Sequence, residues 1–308
     1  MDNTVGIFPE IDVAAYHAEA GCTVPSLSAS IGKPLVPKRT FTTTPLHVWN
    51  DHPVLNKNFV SWNKKEFDKG NTMHELILGK GHGLVVLDYP DYKKKAAQAA
   101  RDAAYEEGKT PVLASVHAEM LQAKAVADRL LSQTPWGHPF TDGQAEVALR
   151  WIEKTKWGDV HCKALVDWLP NKRPLERGID YKSTGQTANP EWWDKRQLNS
   201  LGYDISAAFH RRGYRALGLA HDCDYLWVVQ EWDAPYACSI VGYDSEELDK
   251  AEADIQRMID TFGKCLHTKT WPGYDMEPWF AKRPKWTEYN IRIESDGHLS
   301  SEDIAARL

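Results

Sequence analysis

The chain has 308 residues, 42% of them hydrophobic, enough for one large domain with a real core or two small ones. Its formal net charge of −6 excludes recognition of nucleic acid by bulk charge, though not by a local basic track beside acidic metal ligands. Cysteines at 22, 162, 223, 238 and 265, without a Cys-x-x-Cys pair, argue against a disulfide framework, a zinc knuckle and an iron–sulfur cluster. The start of the chain has no basic and apolar leader, and no apolar run reaches membrane-spanning length. A soluble protein of a reducing cytoplasm, with no membrane association, is therefore expected.

In chain order, residues 1–70 read as a loop-rich N-terminal module, rich in Pro, Ser and Thr. Short helices are expected near Leu27-Ser28-Ala29-Ser30-Ile31, with serine at the cap, and at Thr44-Pro45-Leu46, with threonine at the cap and proline in the first turn. A short apolar helix spans 71–79, opened by Asn71 or Thr72 and stopped by Gly79. Ala-rich helices follow at about 93–107 and 111–133. The character then changes to strand-like runs at 145–152, 160–169 and 175–183, whose short connections favour an antiparallel meander. One helix is expected over about 190–213, closed by Gly213, then strands at 225–232 and 236–243, then a long amphipathic helix from Ser245 to about Cys265. This order predicts an α/β (α+β) fold, with extra helices in front of the core. It reads as a single domain over 1–308, with its core at 71–265 and a Pro- and Trp-rich tail at 266–308 wrapping the surface.

The tripeptide Asp180-Tyr181-Lys182 carries the most chemistry. Side chains alternate along a strand, so its carboxylate and ammonium share one face. There the carboxylate can hold a divalent metal while the lysine attends the attacking water or the scissile phosphate. Asp91-Tyr92-Lys93 and Glu107-Gly108-Lys109 also match this pattern, but in helix-start and helix-end contexts. Asp167 stands near the end of a mostly apolar strand, where a charge is costly unless paired or metal-bound. A hairpin would set it beside Asp180, and two carboxylates suit Mg²⁺, an oxygen-seeking ion. The plainer reading of Asp167 is a turn cap before Pro170-Asn171. Glu146, at a strand start, could add a third carboxylate or be merely exposed. His74, in an apolar helix, could be a ligand or a packed histidine. Lys33, Lys38 and Arg39, Lys93 to Lys95, Arg211, Arg212 and Arg215, and Lys282, Arg283 and Lys285 are candidate basic tracks, or else solvated faces.

The ordered motifs resemble the RecB/RecE branch of PD-(D/E)XK nucleases, and most of all the exonuclease VIII-like group of phages and prophages. They are Leu27-Ser28-Ala29-Ser30, Thr44-Pro45-Leu46-His47, Thr72-Met73-His74-Glu75-Leu76, Val160 to Leu169, Gly178-Ile179-Asp180-Tyr181-Lys182-Ser183-Thr184, and Gly202 to His210. Val228-Val229-Gln230-Glu231 with Pro235-Tyr236 also fits, so the resemblance spans about residues 9 to 290. It implies a restriction-endonuclease-like core, a mixed central sheet flanked by helices. It implies metal binding by His74, Asp167 and Asp180, with Glu146 at an acidic position used by some members, and Lys182 as the catalytic lysine. Ser28 and Ser30 would contact a 5′ phosphate. The implied activity is a Mg²⁺-dependent DNA exonuclease, with Mn²⁺ as substitute, acting on linear duplex DNA in phage-type recombination inside a bacterial cell. Such enzymes form homo-oligomers and work beside a single-strand annealing protein. One departure stands out: where many members carry Gln and Tyr on the helix after the lysine, this chain has Ser206 and His210. Gln197 and Tyr203 lie nearby but are spaced wrongly for one helix face. The alternative is therefore a catalytically weak or inactive DNA-binding protein on the same fold.

Overall fold

Hydrophobic alternation in three consecutive segments folds them into a long antiparallel meander, and everything else packs on it. A computed structural model of the chain describes residues 3–37, 39–59 and 68–283. Lys38, Lys285 and the tail from 284 onward, for which a basic track and a surface wrap are expected, lie outside the described residues. The chain divides into a unit Met1–Gly273 and a unit Tyr274–Leu308. The described residues of the second, 274–283, have no regular secondary structure.

The N-terminal segment supplies β1 (Gly6–Phe8), α1 (Val13–Ala18), β2 (Ser26–Leu27), α2 (Ala29–Gly32) and α3 (Pro45–Asn50). Ser28 caps α2 by accepting from the Ile31 amide at 3.4 Å. Helix α4 (Asp68–Leu78) is already helical at the expected start, Asn71, and ends at Gly79, whose φ of 74° suits glycine. Next comes a separate parallel pair, β3 (Leu84–Leu87) and β4 (Thr110–Leu113), joined through α5 (Lys95–Glu106). Here the expectation of helix from 111 fails. Pro111 disfavours helical geometry at Thr110 and lacks an N–H. The segment therefore pairs as a strand, and α6 (Ala114–Leu131) starts only after it.

The meander is β5 (Gly143–Thr155), β6 (Gly158–Pro170) and β7 (Arg177–Thr184). A crossover of α7 (Pro190–Trp193), a π-helical turn (Asp194–Leu198) and α8 (Tyr203–Ala216) leads to β8 (Asp224–Glu231), parallel to β7. β9 (Cys238–Tyr243) turns back antiparallel to β8, and α9 (Ser245–Lys250) and α10 (Glu252–Thr268) follow. The sheet order is β1-β5-β6-β7-β8-β9, with β2 on β6 off this path. Two helix expectations need correction. The helix expected over 190–213 is broken at Gly202, whose φ is 64° and where a Cβ would come within 2.7 Å of the Phe41 ring. Gly213 does not close α8 either. It lies inside the helix because Trp151 packs on it, leaving only 2.8 Å to a Cβ, and the left-handed glycine after the helix is Gly218.

The sheet separates two apolar layers. One side packs Val147, Leu149, Trp151, Cys162 and Ala164 against Phe209 of α8 and Ile255, Met258 and Phe262 of α10. The other packs Trp168, Ile179 and Tyr181 against Met73 and Ile77 of α4 and Met120, Ala123 and Ala127 of α6. β5 pairs with β6 along its whole length, whereas β6 and β7 share a bridge at Trp168–Ile179, and β2 takes up β6 further on at Cys162. The strands splay beyond that bridge. Polar side chains can stand in the resulting cleft without breaking a continuous ladder.

Candidate active site

Three carboxylates stand in a row across the meander. In the β5–β6 register Ala145 pairs Trp168 and Val147 pairs Val166, which sets Glu146 opposite Asp167. One step beyond the Trp168–Ile179 bridge, Asp167 comes beside Asp180, and the Tyr181 amide donates to Asp167 Oδ2 at 2.9 Å. His74 reaches in from α4 and spans two of them. Its Nδ1 is 3.3 Å from Glu146 Oε1, and its Nε2 is 3.3 Å from Asp167 Oδ2. Lys182 shares the face of Asp180, as strand alternation requires. Its ammonium pairs with Asp180 Oδ1 and lies 3.8 Å from Asp167 Oδ2. All five side chains border one cavity of about 530 Å³, so the structure brings the expected set together.

Burial sets the electrostatics. Burial, against the pull of His74, pushes Glu146 up to about 7. Burial and the facing charge of Asp167 push Asp180 up to about 7. Burial would raise Asp167 as well, but Lys182 and His74 outweigh it and hold that carboxyl well below the usual range. Burial works against charge on Lys182 and His74, yet Asp180 and Asp167 raise the first and Asp167 the second. The donor set fits a divalent cation, because three clustered carboxylates exceed the charge of two cationic neighbours. In addition, the buried Glu146 Oε2 has no hydrogen-bond partner among the described residues. Among the described residues no three His, Cys, Asp or Glu side chains form a ready-made metal cage. His74 and Lys182 each bridge two of the carboxylates instead.

Two features of the site had no role assigned from the sequence, although Gln230 falls in one of the resembling motifs. Glu146 has a φ of 52°, a left-handed conformation in mid-strand that gives its side chain an unusual direction. Gln230, fully buried, accepts from the Tyr181 hydroxyl (2.8 Å) and donates to the Ala123 carbonyl (2.7 Å), fixing β7 beneath α6. A third feature reverses an expectation. Gln197 and Tyr203 do share a surface, because the break at Gly202 puts them on separate helices. Both line a second cavity, of about 450 Å³, whose wall includes Lys182. Ser206 and His210 are on α8 but border neither cavity. Ser206 donates to the Gly202 carbonyl of its own helix at 3.4 Å. The His210 ring lies 2.8 Å from the Tyr225 hydroxyl, and burial pushes it down to about 4, which leaves it neutral. Ser28 and Ser30 bond to each other at 3.1 Å at the start of α2, away from both cavities. Of the basic tracks, Lys33 lies near enough to Lys182 to feel its charge, whereas Arg39 pairs with Asp204 and Asp254.

This arrangement can be set beside known families. A family profile described as a PDDEXK-like domain of unknown function (DUF3799) matches residues 46–277, most of the chain. The chain belongs to this PDDEXK-like family. Its fold is shared with the crystal structure of a candidate exonuclease from Eubacterium rectale, with a TM-score of 0.57 over 91% of this chain and 98% of the other, at 11% identity. A phage-related exonuclease from Haemophilus somnus 129PT aligns over 64% of this chain and 95% of its own at 12% identity, with a TM-score of 0.28. No curated protein matches the sequence. The family is thus PDDEXK-like, and the fold is a mixed, mostly antiparallel sheet between helical layers.

Proposed function

We propose that the protein is a divalent-metal-dependent deoxyribonuclease that hydrolyses phosphodiester bonds from DNA ends. The observation that carries this reading is the row Glu146, Asp167 and Asp180 on adjacent strands, with Lys182 on the face of Asp180. Asp167 and Asp180, with Glu146 and His74, would hold the cation, Mg²⁺ or Mn²⁺. When bound, such a cation supplies Lewis acidity toward a phosphoryl oxygen and toward water. The residues of the chain do the rest. Lys182, kept charged by Asp180 and Asp167, orients the attacking water and sets positive charge where the transition state is most negative. Because it stays protonated, it acts by charge and by donating hydrogen bonds, not as a base. The Asp167 carboxylate, anchored by the Tyr181 amide, keeps its place between Lys182 and His74. Action at ends rather than within a strand is supported by the resemblance to the exonuclease VIII-like group.

The test is digestion of linear duplex DNA, labelled at either end, beside closed circular DNA, with Mg²⁺, Mn²⁺ or EDTA. We expect metal-dependent loss of the linear form, survival of the circle and no activity in Asp180→Ala. Cleavage of the circle would leave a nuclease but remove the requirement for an end. Binding without cleavage under any metal would favour a DNA-binding protein on this fold.

A further inference from the structure

The second cavity has a composition that phosphodiester hydrolysis by itself does not require. Its floor is the end of β7, at Lys182, Ser183 and Thr184, and its sides carry the rings of Trp193, Tyr203 and Trp232. The Trp193 and Tyr203 ring centroids are 6.1 Å apart at a tilt of 36°. Trp232 packs on Gly185, where a Cβ would come within 2.7 Å of the indole, so that the aromatic wall needs glycine there. The amides of Gln186 and Gln197 stand among these rings and present both donors and acceptors. Cations flank the wall on both sides. Lys33 Nζ is 5.9 Å from the Tyr203 ring centre, and Lys69 Nζ is 5.8 Å from that of Trp232. At about 450 Å³ the space is large enough for a small molecule. Trp193 also has a packing role, since it is buried and its Nε1–H donates to the Thr187 carbonyl at 2.8 Å. That role does not account for two glutamine amides and a lysine shared with the carboxylate cavity.

Aromatic faces, amide edges and peripheral ammonium groups are the means by which single-stranded nucleic acid is held. We propose that this cavity takes one unstacked nucleobase, that of the nucleotide adjoining the phosphate held at Lys182. The proposal rests on the nuclease reading for what Lys182 holds. Stacking on the rings offsets the cost of pulling a base out of the helix, and the glutamine amides meet its polar edge. A duplex end would therefore be opened by at least one pair as it enters.

The experiment has a binding arm and a cleavage arm. Calorimetric titration of the full chain in Mg²⁺ with thymidine 5′-monophosphate and with 2-deoxyribose 5-phosphate isolates the base. Stacking of one base predicts that the nucleotide binds about 5- to 150-fold more tightly than the sugar phosphate. Trp232→Leu and the milder Gln197→Ala should each narrow that ratio. Equal binding of both ligands, or a ratio untouched by both variants, would overturn the proposal. In the cleavage arm an abasic nucleotide is walked along the strand. One position beside the cut should lose a similar factor in kcat/KM, and insensitivity at every position would overturn it too. If no DNA is cleaved, the nuclease reading fails while the binding arm still decides whether the cavity recognises a base.

Discussion

Glu146 is held at a φ of 52° in the middle of a strand, a conformation that costs a residue with a side chain about 1–3 kcal/mol. It is also 5% exposed, with one carboxylate oxygen left without a hydrogen bond among the described residues. Strain and an unpartnered carboxylate oxygen on one residue suit a ligand better than a packing element. We expect Glu146→Gln to melt in EDTA at or above the wild-type temperature, since it removes one of three crowded carboxylates. The same change should shrink the rise in melting temperature that Mn²⁺ produces, and thermal melts with and without metal would read both effects. Lys182 has a different logic, because its charge is needed at the transition state. Lys182→Ala should lower cleavage by about 10²- to 10³-fold and leave Mn²⁺ affinity, measured by calorimetry, within about threefold, an allowance for ordinary context dependence. Asp180 and Lys182 were legible in the sequence because alternation along a strand is a local rule. The sign of φ at Glu146 was not, since no local preference of Glu selects it.

At the scale of elements, the run Arg211, Arg212 and Arg215 reads from sequence as a basic track. In the fold it fastens α8 to the segment that carries α9 and α10. Arg211 has no exposed area, and its guanidinium pairs with Asp222 (2.9 Å), Asp249 (2.5 Å) and Glu252 (3.2 Å). Arg212 and Arg215 also reach Glu252. The Asp222 and Asp249 carboxylates are about half exposed and rehydrate once the cation is gone, so Arg211→Ala should cost about 1–3 kcal/mol in urea unfolding, chiefly through lost packing. The DNA affinity of any folded fraction should not change, which would distinguish a fastening role from a phosphate contact. Helix positions followed from periodicity, as α5 illustrates, whereas the single helix expected from Ser245 to about Cys265 is divided at Ala251 into α9 and α10. Helix breaks did not follow: Gly202 and Gly213 are both glycines within a helical pattern, and only the neighbours, Phe41 in one case and Trp151 in the other, determine which one interrupts the helix.

Across the whole molecule, the N-terminal segment joins the core through a buried polar cluster. Glu19 Oε1 lies 2.9 Å from Lys163 Nζ on β6 and 3.6 Å from the His52 ring, which is fully buried. The Lys163 ammonium also donates to the Tyr16 carbonyl of α1 at 2.8 Å. Burial lowers the pKa of His52, so the native state binds fewer protons there than the unfolded chain. This stability is fully present above about pH 6.5, the unfolded value, and is lost as pH falls toward the lower native value. Melting temperature should therefore fall between pH 7.5 and 5.5 more steeply in the wild type than in His52→Asn, and equal slopes would refute this role. The sequence by itself determined the order of strands from β5 to β9, the meander and the Asp180–Lys182 pair, because periodicity and alternation act over a few residues. Only the tertiary structure decided the row of three carboxylates, the left-handed Glu146 and the meeting of Gln197 with Tyr203. It also decided the splay between β6 and β7 that opens the cleft. Each of these depends on strand register or on contacts between residues far apart in the chain, which no local pattern encodes.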